Sequence, residues 1–219
     1  MNLRLPAVRS QERSRIAKPG EFASLLQPLA PQDALPSALA AYGTARNQEI
    51  QVLGWADVDF ETNTIVLAED ARGRKSESSW RLVPMVDQLH RRLLREWIRP
   101  GEPKEGRVCQ PRNRSRSGLL CLDQLSTRIK TTWRALGLEP IGLQDSRHTA
   151  ATWLDHADVS PRVSSALMGH RVPSPNLRVG AAPITLRCYT HVLEGELERG
   201  TDLLDAFLAR REAEEGEGF

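Results

Sequence analysis

Apolar residues recur at helical spacing through most of the chain and alternate in the manner of strands in one short region only. From Lys18-Pro-Gly-Glu a first helix carries Phe22, Leu25 and Leu26, with Pro28 and Pro31 as breakers. A second helix is predicted from Asp33 to Tyr42. A third follows Arg46, carries Ile50, Val52 and Leu53, and ends near Gly54-Trp55. Asp57-Val-Asp-Phe then leads to the polar turn Glu61-Thr-Asn and the β-branched run Thr64-Ile-Val-Leu, with Ser79 to Pro84 as its partner strand. This gives a small antiparallel meander with RGRKSES at its turn.

Beyond the meander the pattern is helical again. Leu89, Leu93, Leu94, Trp97 and Ile98 form one stripe, a Pro/Gly/Arg/Ser loop covers 100 to 118, and Leu122 to Leu136 is a further helix. The next starts at Asp145 or Ser146 and runs to His156. Another has Ser160 as N-cap, Pro161 in its first turn, Val163, Ala166 and Leu167 facing inward, and Gly169 as its stop. A Pro-containing connection spans 171 to 185, helical signal resumes at Leu186-Arg-Cys-Tyr, and a last amphipathic helix, about Leu197 to Arg211, carries Leu203, Leu204, Phe207 and Leu208. The fold class expected is α+β, predominantly helical, with a small antiparallel β-sheet.

A chain of 219 residues suffices for one good-sized core, and 40% hydrophobic with 26% charged residues is an ordinary soluble balance. No apolar run approaches the roughly 18 residues of a membrane span, and the N-terminus has no apolar signal region, so no membrane partner and a cytoplasmic, nucleoid-associated location are expected. Cys109, Cys121 and Cys188 lack paired spacing and read as reduced thiols. Net charge is only +2, but RGRK, HRRLLR and RNRSR concentrate Arg between residues 71 and 147, against an acidic C-terminus. Such asymmetry permits a basic face for nucleic acid, and solvated helix faces and loops are an equal alternative for each run taken singly.

Five groups stand out in order: Arg46, Lys75, Arg147, His170 and Tyr189. Arg46 lies in Ala-Tyr-Gly-Thr-Ala-Arg-Asn-Gln-Glu-Ile, followed by Leu53-Gly-Trp-Ala-Asp-Val-Asp-Phe. Lys75 opens Lys-Ser-Glu-Ser-Ser-Trp-Arg-Leu-Val-Pro-Met, Arg147 opens Arg-His-Thr-Ala-Ala, His170 closes Leu-Met-Gly-His and Tyr189 opens Tyr-Thr-His-Val. No single box is specific, but the ordered set over roughly residues 18 to 210 resembles the catalytic domain of the tyrosine recombinases, the phage integrase family. The resemblance implies a DNA breaking-rejoining fold, with residues 1–18 a flexible lead-in, 19–212 the catalytic domain and 213–219 an acidic disordered tail.

The resemblance also implies roles. Arg46 and Arg147 would grip a phosphodiester, a job suited to permanently charged guanidinium forks. Tyr189 would attack phosphorus to give a 3′-phosphotyrosyl link, Lys75 would protonate the departing 5′-oxygen, His170 would hydrogen-bond the phosphate and Glu49 would orient the site. Arg72, Arg74, Arg112, Arg114 and Arg116 are expected backbone contacts from their loops. Double-stranded DNA is the expected partner, met by a homo-oligomer or together with an intact recombinase. No cofactor and no metal are expected, since no carboxylate cluster suggests a two-metal site.

Three departures from the family pattern matter. Gln144 stands where the pattern has His, and Gln cannot exchange a proton near neutral pH. Gly43-Thr44 reverses a more familiar Thr-Gly order, and the connection from His170 to Tyr189 is long. Only about 18 residues precede the catalytic domain, so the N-terminal half of the family's DNA clamp is expected to be missing. A catalytically weak DNA-binding remnant is therefore the alternative reading, with a type IB topoisomerase-like enzyme a more distant one.

Overall fold

The structure, a computed structural model, describes residues 15–68, 80–99, 101, 103–112, 118–170 and 195–216. Its helices are α1 (Pro19–Leu26), α2 (Pro31–Ala41), α3 (Asn47–Val52), α4 (Asp87–Ile98), α5 (Leu122–Ala135), α6 (Leu143–His156), α7 (Pro161–Leu167) and α8 (Glu196–Gly216), with a 3-10 turn at Trp55–Asp57. Strands β1 (Val58–Asp59), β2 (Thr64–Ala68) and β3 (Trp80–Pro84) form one antiparallel sheet in the order β1-β2-β3. The predominantly helical α+β architecture with a small antiparallel sheet is thus what the chain adopts.

Two helix starts differ from the sequence reading, each for a local reason. Pro31, read as a breaker, is the first residue of α2, where its missing N–H costs no hydrogen bond. The first residue of α6 is Leu143, at least two residues earlier than expected, with Gly142 as its N-cap. Asp145 sits in the first turn and turns back to accept the Gly142 backbone N–H at 2.9 Å.

The core gathers on α2 and α6, which pack together. Phe22, Tyr42 and Trp153 form an aromatic triangle with ring centroids 5.6 to 5.8 Å apart, and Trp133 closes on Phe22 at 6.3 Å. Trp153 Nε1 donates to the Ala17 carbonyl at 3.0 Å, and Ala17 is buried, so Ala17 at the end of the expected lead-in is docked on the core. Among the described residues no helix is long and apolar enough to cross a membrane.

Helix α8 lies against α1, α6, α7 and β3 of its own chain. Leu204, Phe207 and Leu208 are buried there, and full burial of each such side chain is worth roughly 1.5–3 kcal/mol. The helix also continues to Gly216, into the stretch read as an acidic tail from 213. Glu215 explains the extension, since its carboxylate accepts the backbone N–H of Gly20 at 2.9 Å at the start of α1.

Candidate active site

The site is built around the C-terminal end of α7. Gly169 follows the C-cap Met168 at φ +61°, and the His170 N–H reaches back to the Ser165 carbonyl at 2.9 Å. This closure leaves the carbonyls of residues 167 to 169 without helical partners. Arginines from three separate elements take them. Arg81 on β3 donates its Nε to Leu167 O at 3.0 Å, Arg147 on α6 donates Nη2 to Met168 O, and Arg46 donates Nη2 to Gly169 O. Cations at this end also complement the negative pole of a helix. Gly169 has a second constraint here, since an added Cβ would fall 2.8 Å from Arg81 Nη1.

Arg46 occupies the N-cap position of α3 in extended backbone, and Glu49 in the first turn accepts its backbone N–H at 2.6 Å. The Glu49 side chain has no exposed surface. Its carboxylate receives both Nη groups of Arg81, one of them at 3.0 Å, and lies 3.5 Å from Arg46 Nη1. A buried carboxylate needs such pairing to stay charged. One glutamate therefore caps α3 and neutralises the centre of an arginine cluster.

Thr44 supplies the remaining hub. Its carbonyl accepts from Arg147 Nη1 and from Arg81 Nη2, the latter at 3.0 Å, and its hydroxyl donates to Leu167 O at 2.6 Å. Its φ of +53° is an unusual conformation for a β-branched residue.

Three guanidiniums face one carboxylate, so the cluster is electropositive. Burial, then the charges of Arg81 and Arg46, push the Arg147 guanidinium down to about 10, with Glu49 opposing; it remains protonated at neutral pH. His170, at the mouth, is held below the ordinary imidazole range by partial burial first. The charges of Arg147, Arg46 and Arg81 follow, with a further push from His148.

The structure thus brings together Arg46, Glu49, Arg147 and His170. Gln144 is exposed on α6, three residues before Arg147 and so on a neighbouring part of the helix surface. Arg112, expected on DNA, lies 3.3 Å from the buried carboxylate of Asp33 through Nη1, beside the stronger pairing of Arg128 with the same group. Lys75, Tyr189, Arg72, Arg74, Arg114 and Arg116 lie outside the described residues. Arg81 was missed in the sequence, although a signal was there: an Arg between Trp80 and Leu82 shares a strand face with buried Val83.

A model of the phage integrase family matches residues 18–177, which contain Arg46, Glu49, Lys75, Gln144, Arg147 and His170 and stop short of Tyr189. The chain belongs to the phage integrase family. Among solved structures, this integrase-family chain is similar to the integrase from mycobacterium phage Brujita, with TM-score 0.63 and 18% identity over 96% of this chain and 65% of that one. XerA recombinase gives TM-score 0.61 and 18% identity over 89% and 65%, respectively. The Tn1549 transposon integrase in complex with circular intermediate DNA gives 0.58 and 16% over 89% and 68%. At these identities the likeness is one of fold, and the chain spans 65% of the length of each of the first two. No curated protein matches the chain by sequence.

Proposed function

We propose that this chain is the strand-transfer part of a site-specific DNA recombinase, working through a 3′-phosphotyrosyl link. The observation that carries the reading is the convergence of Arg46, Arg81 and Arg147 on the end of α7, beside His170. A phosphodiester brings one negative charge and gains more on its phosphoryl oxygens during in-line attack, which fixed guanidinium donors stabilise. Arg147 commits one N–H from each Nη to a carbonyl, and a guanidinium has five, so donors remain for phosphate. With its pKa depressed, His170 is neutral near pH 7 and offers a ring N–H to the same oxygens.

The chain has two tyrosines. Tyr42 is buried in the aromatic triangle, where desolvation and Glu212 push its phenol upward, so it is no nucleophile. Tyr189 takes that role in this reading. Its phenoxide oxygen attacks phosphorus, the bond to the 5′-oxygen breaks, and Lys75 gives that oxygen its proton. The covalent link retains the phosphodiester energy, so attack by another 5′-hydroxyl rejoins a strand without ATP. Duplex DNA is the proposed substrate, in keeping with the DNA complex of the similar Tn1549 integrase.

The test is incubation with nicked suicide duplexes of randomised sequence, followed by denaturing electrophoresis. A covalent protein–DNA adduct that disappears in Tyr189→Phe supports the reading. DNA binding with no adduct from the native chain overturns it.

A further inference from the structure

Thr44 concentrates features that no substrate contact explains. It is 2% exposed, its φ is +53°, its hydroxyl donates to Leu167 O at 2.6 Å, and its carbonyl takes Arg147 and Arg81 together. Leu167 O also accepts Arg81 Nε at 3.0 Å. The bonds therefore close a ring, running from the Thr44 hydroxyl to Leu167 O, on to the Arg81 guanidinium, and back to the Thr44 carbonyl. Arg147 hangs from that carbonyl, and Arg46 follows Thr44 by two residues.

We propose that Thr44 is a positioning residue for the strand-transfer site, its hydroxyl clasping the end of α7 so that its own carbonyl stays turned toward Arg147 and Arg81. The inference rests on the phosphodiester-binding reading of the cluster. A left-handed residue turns its carbonyl away from the direction an extended or right-handed residue would give it, and here that direction is into the arginine cluster. A β-branched side chain resists this conformation, so a compensating contact is required. The hydroxyl bond to Leu167 O is that contact. Glycine would adopt the angle freely but would leave the carbonyl unanchored. Nor can the glycine and threonine exchange places, because a Cβ at Gly43 would lie 2.9 Å from the Leu39 carbonyl and 3.0 Å from Leu89 Cδ2.

The test compares Thr44→Val, which keeps the shape without the hydroxyl, with Thr44→Ser, which keeps the hydroxyl. The first readout, on the free protein, is the nitrogen-15 guanidinium spectrum of Arg81 and Arg147, in which bonded Nη groups rotate slowly. Thr44→Val is expected to speed that rotation and Thr44→Ser to preserve it. The second readout is adduct formation on the randomised nicked duplexes. For Thr44→Val the rate at saturating DNA is expected to fall about tenfold or more with affinity held within about twofold, and Thr44→Ser is expected to restore it. If Thr44→Val does not fold, Thr44→Ala removes the same hydroxyl and replaces it in both measurements. A hydroxyl-free variant with a native guanidinium spectrum and native rate overturns the proposal, as does a Thr44→Ser as impaired as Thr44→Val. Absence of any adduct from the native chain defeats the recombinase reading instead, and the spectrum still decides the role of Thr44.

Discussion

Glu49 and Arg81, 32 residues apart in sequence, form a buried pair in which both Nη groups of the arginine meet one carboxylate. Their side chains are 0% and 13% exposed. Arg81→Met leaves the Arg46 guanidinium, at 3.5 Å, as the cation beside Glu49, with the Arg46 backbone N–H at 2.6 Å, and breaking such a buried pair is expected to cost about 3–5 kcal/mol. Urea unfolding measures this. Arg81→Lys restores the charge without the fork and should recover only part of the loss. The double variant Arg81→Met/Glu49→Gln should lose less than the sum of the single changes, because no charge is left stranded. Strict additivity would show that the two groups do not act as a pair.

Gln144 precedes Arg147 by three residues on α6, the position the family pattern gives to His. Gln144→His is expected to raise the single-turnover rate of adduct formation by roughly 100-fold, the low end of what a positioned acid–base group supplies. Because Gln144 is exposed, the substitution should leave the unfolding midpoint unchanged. An unaltered rate in a well-folded variant would remove position 144 from the chemistry.

The depressed pKa of His170 makes the fold sensitive to acid. Between the lowered folded value and the ordinary 6.5, the unfolded chain binds a proton that the folded one does not. The contribution of this group is therefore fully present above pH 6.5 and is lost as pH falls through the folded value. Urea titrations from pH 5 to 7.5 should show His170→Gln with a flatter dependence than the native chain. An equally steep slope in the variant would assign the acid sensitivity elsewhere.

Asp205 on α8 has the opposite sign. Its carboxylate accepts the Asp87 backbone N–H at 2.8 and 3.1 Å, at the start of α4. Burial, with the charges of Asp87 and Asp202, nevertheless raises it to about 6, against the pull of that hydrogen bond and of Arg91. Between 3.8 and about 6 the folded state holds the extra proton, so stability from this group declines as pH rises through that window. Asp205→Asn should stabilise the protein at pH 7.5 by roughly 1 kcal/mol after allowance for solvent screening, and should be neutral near pH 4. A loss of stability at pH 7.5 would mean that the capping bond outweighs the burial of the charge.

The sequence was most legible where local chemistry decides the structure. Ser160 caps α7, its oxygen accepting the Val163 N–H at 3.4 Å, and Gly169 stops it, both readable from the letters alone. The meander was equally legible, with Thr64 opposite Pro84 and Ile65 opposite Val83. Arg46, Glu49, Arg147 and His170 could be named because their boxes follow one another in a recognisable order. Arg81 carried only the hint of sharing a strand face with Val83, since its importance comes from where β3 meets Glu49 of α3 and the end of α7, and an arginine in a strand reads as a solvent residue until its neighbours are known. The positive φ of Thr44 was equally hidden. The reversed Gly43-Thr44 order marked the place, but only the packing against Leu39 and Leu167 gives it meaning.

Every atom that α7 offers to the three arginines belongs to the main chain. Exchanging the side chains of Leu167 or Met168 for others that fit the core leaves those oxygens where they are. Inserting or deleting one residue within this seven-residue helix would instead turn its end by about 100° and offer each guanidinium the wrong oxygen. The segment can therefore drift in spelling while its length stays fixed, and a census of natural variants should find many substitutions there but no frame slips.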